Sequence, residues 1–268
     1  MRRIRVSETE YPYYRTDLAR VHHLGFGFHA DSCARGVLAL LASVHKRDGL
    51  VVELGCGSGH LTRHLLKGAH RVIATDASPA MLELARRQAP NVEDLRLLVL
   101  PDDAIPAADA IVSVGHVLSY LPNESAIRRA LRAICGSLRP GGVLALDICD
   151  LHWAETRRNV PPFAFVNDEW VLVTRFSVPA PNRFVREMTT FIRGDDGAWR
   201  RDDERHDNVL IDTSYVPELL REYGVDATVG SSFGGEDLPT GLDHHWPAHP
   251  LETELPAHRA QLGHRANL

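Results

Sequence analysis

Three glycines at alternate positions, Gly55, Gly57 and Gly59, follow a short apolar run that ends at Leu54. Glycine allows the backbone to turn sharply, and it lets a ligand approach the chain without meeting a Cβ atom. The residues that follow predict a helix, whose first N–H groups are unpaired and can bind a carboxylate or a phosphate. The spacing therefore predicts a ligand-binding turn between a strand and a helix.

A carboxylate stands at the end of the next predicted strand. That strand, Arg71–Thr75, is followed directly by Asp76. Ligands of parallel sheets bind beyond the carboxyl ends of the strands, and an acidic residue there can accept hydrogen bonds from the hydroxyl groups of a ribose. The other interpretation is a tight turn with a surface aspartate. Strand, glycines, helix, strand and acid nevertheless occur in the order that a nucleoside site requires, and this order favours such a site.

The elements that would position these residues alternate between short apolar strands and helices up to about residue 150. Such alternation is typical of βαβ units and predicts a parallel α/β sheet. The predicted strands are Leu50–Leu54, Arg71–Thr75, Leu95–Leu100, Asp109–Val114 and Val143–Ile148. A first helix is predicted to begin near Asp31 or Ser32. The later predicted helices are His60–Lys67, Ala80–Gln88 (capped by Ser78, with Pro79 in its first turn) and Asn123–Ser137.

The pattern changes after the fifth predicted strand. Trp170–Val178 has apolar residues at every second position, and Arg183–Arg193 is rich in β-branched and aromatic residues. Turns separate these segments from each other and from a third strand within Trp199–Ile211. An antiparallel layer is therefore predicted here, followed by a helix at Pro217–Tyr223 and a sixth strand at Val225–Val229.

The segment Glu53–Gly59 reads ELGCGSG and matches the E-x-G-x-G-x-G motif of the class I S-adenosylmethionine-dependent methyltransferases, which this chain resembles. His60 stands where the dinucleotide fingerprint G-x-G-x-x-G would have its third glycine, which disfavours a nicotinamide-dependent oxidoreductase. The resemblance implies S-adenosyl-L-methionine as the cofactor. It also implies a Rossmann-like, doubly wound, mostly parallel α/β sheet, with the antiparallel β layer inserted after the fifth strand. Further support comes from Asp76, Pro101–Ala104 and Leu138–Gly142, and the resemblance covers residues 36–150 well and Pro217–Val229 loosely.

The resemblance also implies how individual residues would bind the cofactor. Glu53 and Gly55 would lie beside its methionine end, Gly57 would allow close approach, and Asp76 would hold the ribose. The other residues that it places at the cofactor are Cys56 in the turn, Ala77 and Met81 on the adenine side, Asp103 and Ala104 at the adenine amino group and ring edge, and Gly115 and His116 beside the methionine portion.

Two departures from the family pattern concern the substrate and the sheet. No N/D-P-P-Y/F sequence follows the fourth strand, where the chain reads Ser113-Val114-Gly115-His116. That sequence marks the family members that methylate amino groups of bases or of glutamine, so these acceptors are disfavoured. The family's sheet usually ends in an antiparallel seventh strand, but Leu238–Trp246 is a poor strand. The seventh strand is therefore either missing or altered.

Methyl transfer from a sulfonium is an in-line displacement, so the protein must align the acceptor and, for a hydroxyl acceptor, remove a proton. His116 is the leading candidate base, because it follows a strand end that should face the cofactor and a neutral imidazole can accept a proton. The alternative is that His116 only lines the cofactor pocket. Tyr120, four residues on, is the second catalytic candidate, and its alternative is a packed aromatic side chain.

The predicted core consists of residues 31–150, and two segments outside it are predicted to close the site. Residues 1–30 would form an N-terminal arm or lid, and residues 151–212 would form a substrate cap. The core would end with residues 213–233, and residues 234–268 would be an irregular tail. The alternatives are a surface arm and a layer that only packs on the core. The candidate residues of the arm are Tyr11, Tyr13, Tyr14, His22, His23 and His29. Those of the cap are Phe163, Phe165, Trp170, Phe176 and Phe191, which could form an apolar wall, and Arg186 or Arg193, which could bind an acidic group. Weaker candidates are His152, Trp153 and His206.

The composition limits the partners and the location. The formal net charge of -5 gives no electrostatic reason to expect nucleic acid. The four cysteines show no C-x-x-C spacing, so no metal site is predicted, and they fit a reducing cytoplasm. No apolar run is long enough to span a membrane, and no secretory signal is recognisable. We therefore expect a cytoplasmic protein without membrane contact, and a homodimer stays open.

These observations predict a methyltransferase that transfers a methyl group from S-adenosylmethionine to an oxygen or nitrogen atom of a small molecule. The small size of the acceptor follows from the predicted arm and cap, which would narrow the opening of the site. The alternative is a catalytically silent protein of the same fold that binds a ligand or a partner. Such a protein would bind the cofactor but would have no pocket that reaches the methyl group.

Overall fold

The structure is a computed structural model that describes residues 12–235 and 258–264. A seven-stranded parallel sheet is flanked by helices, and a four-stranded antiparallel sheet is inserted between its fifth and sixth strands. The predicted fold class is confirmed. The strands are β1 (Leu50–Leu54), β2 (Arg71–Asp76), β3 (Asp94–Leu97), β4 (Ala108–Ser113), β5 (Leu138–Ile148), β6 (Phe163–Val166), β7 (Trp170–Ala180), β8 (Arg183–Arg193), β9 (Trp199–Val209), β10 (Val225–Gly230) and β11 (His258–His264), and the parallel sheet has the order β10-β11-β5-β4-β1-β2-β3.

Side chains cap the helices where the sequence predicts that helices begin. Ser78 Oγ accepts a hydrogen bond from Met81 N at 3.2 Å, and Pro79 occupies the first turn, where an N–H group is not needed. Asn123 Oδ1 accepts one from Ala126 N at 2.9 Å. The α-helices are α1 (Thr16–Gly25), α2 (Phe28–Leu40), α3 (Ala42–His45), α4 (His60–Lys67), α5 (Pro79–Gln88), α6 (Glu124–Ser137), α7 (His152–Arg157) and α8 (Val216–Glu222), with 3-10 turns at Val117–Tyr120 and Thr213–Tyr215.

The core lies on both faces of the parallel sheet, because successive residues of a strand point to opposite faces. All five residues of β1 are buried. Val52 belongs to the apolar layer that includes Leu131 of α6, whereas Val51 belongs to the layer that includes Val37 of α2 and Leu65 of α4. Burying one such side chain contributes about 1.5–3 kcal/mol. The two layers therefore hold β1, and the glycine turn that follows it, at the centre of the fold.

The antiparallel sheet has the alternation that its sequence predicts. Trp170, Leu172, Thr174 and Phe176 of β7 are buried on one face. The short strand β6 was not predicted, because three of its four residues are exposed and it has no alternating pattern. It pairs with β7 as the edge of the sheet.

The first helices differ from the prediction. The sequence predicts a helix that begins near Asp31 or Ser32, but α2 begins at Phe28 and α1 precedes it. The predicted arm, residues 1–30, therefore contains a helix. Phe28, the first residue of α2, lines a cavity, so the start of this helix lacks the period of a core-facing helix.

The tail also differs from the prediction. Residues 234–268 are predicted to be irregular, but His258–His264 forms β11 between β5 and β10, parallel to both. Its backbone pairs with groups of these two strands that would otherwise lack partners. The composition of the tail could not predict this strand, because the strand forms by pairing with β5 and β10, which are distant from it in sequence. Leu238–Trp246, the poor candidate for a seventh strand, lies outside the described residues.

Candidate active site

A cavity of about 350 Å³ lies beyond the carboxyl ends of β1, β2 and β4. The residues that follow these strands form one part of its wall, and α1, α2 and the antiparallel sheet contribute the rest. The predicted arm and the predicted cap therefore meet at one cavity beside Gly55 and His116. The sequence predicts this arrangement.

The glycine turn combines a tight turn with open space. Gly55, Gly57 and Gly59 have φ angles of 67°, 54° and 87°, in the left-handed region that other residues rarely adopt. A Cβ atom on Gly55 would overlap the side chain of Val117, whereas one on Gly57 would meet no atom within 4 Å. Because Gly57 also lines the cavity, a side chain at this position would occupy the space of a ligand.

Asp76 is fixed by backbone donors at the wall of the cavity. Its Oδ2 accepts a hydrogen bond from Gly57 N at 2.8 Å, and its Oδ1 accepts one from Ser78 N at 2.8 Å. Burial raises the pKa of this carboxyl group, and the N–H donors offset part of the rise. A carboxylate oxygen has a second lone pair, so Asp76 can also accept hydroxyl groups of a ligand.

A second carboxylate, Asp147 of β5, holds the turn after β4. Its Oδ1 accepts a hydrogen bond from His116 N at 2.6 Å, and its Oδ2 accepts one from Gly115 N at 2.9 Å. His29 Nε2 lies 3.5 Å from the same carboxylate. His116 is left-handed, with φ 47°, and hydrogen bonds are needed to hold a residue in this conformation. Asp147 was not predicted, although one acidic residue in an otherwise apolar strand was a signal for it.

Glu53 lies behind the glycine turn and does not line the cavity. Its side chain points towards α4, where Oε2 accepts a hydrogen bond from Thr62 Oγ1 at 2.6 Å. Burial raises the pKa of Glu53 to about 8; the Thr62 hydroxyl lowers it in part, and the charge of Asp76 raises it further. Glu53, predicted beside the methionine end of the cofactor, therefore supports the turn from behind in this structure.

Asp103 and Ala104, predicted at the adenine, also do not line the cavity. Both are exposed, and Asp103 Oδ2 accepts a hydrogen bond from Val99 N at 2.7 Å, which closes the loop after β3. Leu98, Val99 and Leu100 form this part of the wall instead. Their position directly after the strand was the available signal, because ligands bind at the carboxyl ends of such strands.

A buried polar cluster lies where the antiparallel sheet meets the turn after β4. Arg186 Nη2 donates a hydrogen bond to the Tyr120 hydroxyl, which lies 3.0 Å from the Tyr14 hydroxyl. The same Nη2 lies 3.5 Å from His206 Nδ1, and His206 Nε2 lies 2.8 Å from Glu204 Oε2. Because Nδ1 faces a donor, the proton of a neutral His206 belongs on Nε2, which donates it to Glu204.

Burial sets the charges in this cluster. Together with the charge of Arg186, it lowers the pKa of His206 well below the ordinary value, so this imidazole is neutral. Burial raises the pKa of Glu204 to about 7, against the opposing effect of Arg15. Burial lowers the pKa of Arg186, but Tyr120 and Tyr14 together outweigh this effect, so the pKa is raised and the guanidinium stays charged.

The arm is fastened to β9 by backbone bonds and an ion pair. Tyr14 N and Arg15 N donate to the two carboxylate oxygens of Glu204 at 2.7 and 2.8 Å. Arg200 pairs with the buried Asp17 of α1. Of the arm candidates, Tyr13, Tyr14, His22 and His29 line the cavity, His23 does not, and Tyr11 lies outside the described residues.

The cavity brings together most of the predicted site residues. Those that line it are Gly55, Cys56, Gly57, Asp76, Ala77, Met81, Gly115, His116 and Tyr120. Of the cap candidates, Phe163, Phe165, Phe176 and Arg186 line it, Trp153, Trp170 and His206 are buried away from its wall, Phe191 is half-buried away from it, and His152 and Arg193 are exposed.

Residues 12–235 contain neither a candidate metal site nor a membrane-spanning helix. No group of histidine, cysteine, aspartate and glutamate side chains in this part could hold a metal ion. None of its helices is long and apolar enough to cross a membrane.

Comparison with known proteins matches the chain to methyltransferases. A family profile described as a methyltransferase domain matches residues 51–142. A putative methyltransferase of a Geobacillus species is 26% identical over 180 residues, which cover 65% of this chain and 72% of that protein. Trans-aconitate 2-methyltransferase of an Azoarcus species is 36% identical over 127 residues, which cover 44% of this chain and 47% of the relative. The chain thus spans about half the length of the Azoarcus relative.

A solved structure shares the fold. The sugar N-methyltransferase of a Streptoalloteichus species superposes with a TM-score of 0.63 at 18% identity, over 77% of this chain and 84% of that one. At this identity the similarity concerns the fold alone.

Replacing Gly57 by alanine should block the ligand without unfolding the protein. The new methyl group would enter the cavity, and its left-handed backbone costs about 1–2 kcal/mol of stability. We expect the affinity for S-adenosylhomocysteine, measured by calorimetry, to fall at least about tenfold.

Gly224→Ala is the matched control for this variant. Gly224 has φ 77° and open space around it, and it does not line the cavity, so the variant should lose similar stability and bind normally. Gly55→Ala should lower the melting temperature further, because it overlaps Val117. Unchanged affinity of Gly57→Ala would contradict the assignment of this turn to the ligand.

The burial of Glu53 predicts that the ligand-free protein loses stability as the pH rises. The pKa of this group is 4.5 in ordinary surroundings and about 8 in the fold, so the folded state keeps a proton that the unfolded chain releases between these values. Stability is therefore lost progressively over this interval. Glu53→Gln keeps the shape but cannot ionise. It should flatten the dependence of the melting temperature on pH between about pH 5 and pH 9.

Glu93→Gln, at an exposed carboxylate, controls for the loss of one charge and should keep the slope of the wild type. Equal slopes for the wild type and for Glu53→Gln would show that Glu53 does not hold the proton.

Proposed function

We propose that the acceptor of this chain is a small molecule, methylated on an oxygen or nitrogen atom. The chain is an S-adenosylmethionine-dependent methyltransferase of the class I superfamily. The observation that carries this proposal is the cavity of about 350 Å³, whose wall includes α1, α2 and the antiparallel sheet. A concave site of this kind suits a metabolite. A duplex or a folded protein would need an open surface.

The residues after β1 and β2 fit the cofactor. Gly57 leaves free the space that a side chain would fill, and Asp76 presents its carboxylate beside it. We propose that Asp76 accepts the ribose hydroxyl groups and that Ala77 and Met81 contact the adenine. When bound, S-adenosylmethionine supplies an electrophilic methyl group on a sulfonium.

The chain's own residues would align the acceptor and take its proton. His116 is held through its backbone by Asp147, lines the cavity, and has its ring 5.5 Å from that of Tyr120. We propose His116 as the base for a hydroxyl acceptor and Tyr120 as a residue that positions the acceptor. A neutral amine would need alignment only.

One relative and the charge support a small acceptor. The Azoarcus relative is named for trans-aconitate, which is a small molecule. Among the described residues that line the cavity there is one arginine, Arg186, and no lysine. Nucleic-acid binding needs clustered positive charge, so a polynucleotide acceptor is disfavoured.

Two finer points belong to this proposal. We place the protein in the cytoplasm, because the buried Cys33, Cys56, Cys135 and Cys149 are not joined by disulfide bonds, as is typical of a reducing compartment. A homodimer remains a hypothesis, and light scattering after size-exclusion chromatography tests it.

Methyl transfer from labelled S-adenosylmethionine to a panel of small alcohols, phenols, amines and carboxylic acids tests the proposed function. We expect at least one member to be methylated. For a hydroxyl acceptor, His116→Asn should lower kcat by about 10²–10⁴-fold, because the base is lost. Asparagine tolerates the left-handed backbone at this position, so binding of S-adenosylhomocysteine should be preserved.

His152→Asn is the control, because His152 is exposed and lies away from the cavity. An unchanged kcat of His116→Asn with a hydroxyl acceptor would remove His116 as the base. Binding of S-adenosylhomocysteine without methylation of any acceptor in the panel would favour the silent binding protein over the enzyme.

A further inference from the structure

Arg186 is a buried positive charge on the wall of the cavity. It belongs to β8, its relative exposure is 9%, and it is the one arginine among the described lining residues. Arginine is almost never buried this far without an anionic partner. Its surroundings therefore identify what the cavity is built to receive.

The hydrogen bonds of Arg186 leave its guanidinium incompletely satisfied. Nη2 donates to the Tyr120 hydroxyl and lies 3.5 Å from His206 Nδ1. Nε is buried and has no hydrogen-bond partner among the described residues. A guanidinium has five N–H donors, so the two neutral partners on Nη2 leave other N–H groups for an anionic acceptor.

No carboxylate within residues 12–235 forms an ion pair with Arg186. Glu204, the acid of the same cluster, is separated from it by His206, which contacts Arg186 through Nδ1 and Glu204 through Nε2. The Glu204 oxygens accept hydrogen bonds from Tyr14 N and Arg15 N. Glu204 is thus committed to the arm, and the charge of Arg186 faces the cavity without compensation.

We propose that the methyl acceptor carries a carboxylate group and that Arg186 binds it at the antiparallel-sheet wall of the cavity. This inference rests on the proposed function and specifies the class of its substrate. A carboxylate that accepts hydrogen bonds from the remaining N–H groups would balance the charge of the guanidinium and orient the acceptor.

The charge of the cavity favours a carboxylate over a phosphate. Arg186 supplies one positive charge, and no lysine lines the described wall. One charge balances a monoanion, whereas a phosphate monoester carries nearly two charges at neutral pH. The nearby aromatic side chains of Phe163 and Phe176 suit an apolar body on the acceptor.

The contacts of Arg186 also bear on the other carboxylate available, that of the cofactor itself. Arg186 contacts Tyr120, which follows β4, and its side chain does not bond to the glycine turn after β1. We therefore assign Arg186 to the acceptor, and the affinity for S-adenosylhomocysteine distinguishes the two assignments.

Binding of matched acids and amides to the protein saturated with S-adenosylhomocysteine tests the inference. The probes are acetate, hexanoate and benzoate, their primary amides, and phenyl phosphate, measured by calorimetry. In the wild type we expect at least one acid to bind about tenfold or more tightly than its amide, with benzoate tighter than phenyl phosphate. Arg186→Met should abolish the preference, and Arg186→Lys should keep a reduced one.

Arg193→Met is the matched control, because Arg193 lies on the same strand but is exposed and does not line the cavity. It should keep the full preference for acids, and all three variants should bind S-adenosylhomocysteine as the wild type does.

Four results would overturn the inference. They are the absence of any preference for acids in the wild type, a preference that survives in Arg186→Met, tighter binding of phenyl phosphate than of benzoate, and a loss of S-adenosylhomocysteine affinity in Arg186→Met. If Arg186→Met does not fold, the wild type and Arg186→Lys decide. Methylation of neutral acceptors without a preference for acids would refute this inference alone. A preference for acids with no methyl transfer to any acceptor would refute the proposed function.

Discussion

Two carboxylates, the half-buried Asp76 and the buried Asp147, hold the turns from which the site is built. Each accepts hydrogen bonds from N–H groups that neither strand nor helix pairs, including Gly57 N for Asp76 and Gly115 N and His116 N for Asp147. A hydrogen bond to a charged group contributes about 1.5–3 kcal/mol, which exceeds the cost of about 1–2 kcal/mol for left-handed backbone at a residue with a Cβ atom. Because both acids belong to strands fixed by the core, the position of the strands sets the shape of the cavity.

The opposite wall depends on a different interaction. Glu204 joins the arm to the antiparallel sheet, because it accepts hydrogen bonds from two backbone N–H groups of the arm and one from the imidazole of His206. Behind the cavity, His206 then separates this acid from Arg186. Glu204 thus holds the arm against the antiparallel sheet. Because the neutral His206 lies between them, Glu204 does not pair with Arg186, whose charge stays available to a ligand. In the proposed assignment, the strand-end acids fix the cofactor half of the cavity, and this cluster fixes the acceptor half.

Much of this arrangement follows from local sequence, and the rest depends on tertiary contacts. The glycine turn and Asp76 were predictable because strand, glycines, helix, strand and acid occur in the required order along the chain. Successive side chains of a strand point to opposite faces, and Arg186 and Arg193 of β8 are an odd number of residues apart. This spacing could have predicted that only one of them is buried, as Arg186 is. Glu204 and the strand His258–His264 were not predictable, because their partners are distant in sequence. The same holds for the start of α2, whose first residues face the cavity and not the core.

The most direct measurement is a crystal structure of the protein with S-adenosylhomocysteine. The two turns should bind the nucleoside, with its ribose hydroxyl groups within hydrogen-bond distance of Asp76. The space bordered by His116, Tyr120 and Arg186 should remain open for an acceptor. A ribose bound away from Asp76, or an amino-acid end of the ligand that pairs with Arg186 and fills this space, would contradict the division of the cavity into a cofactor half and an acceptor half.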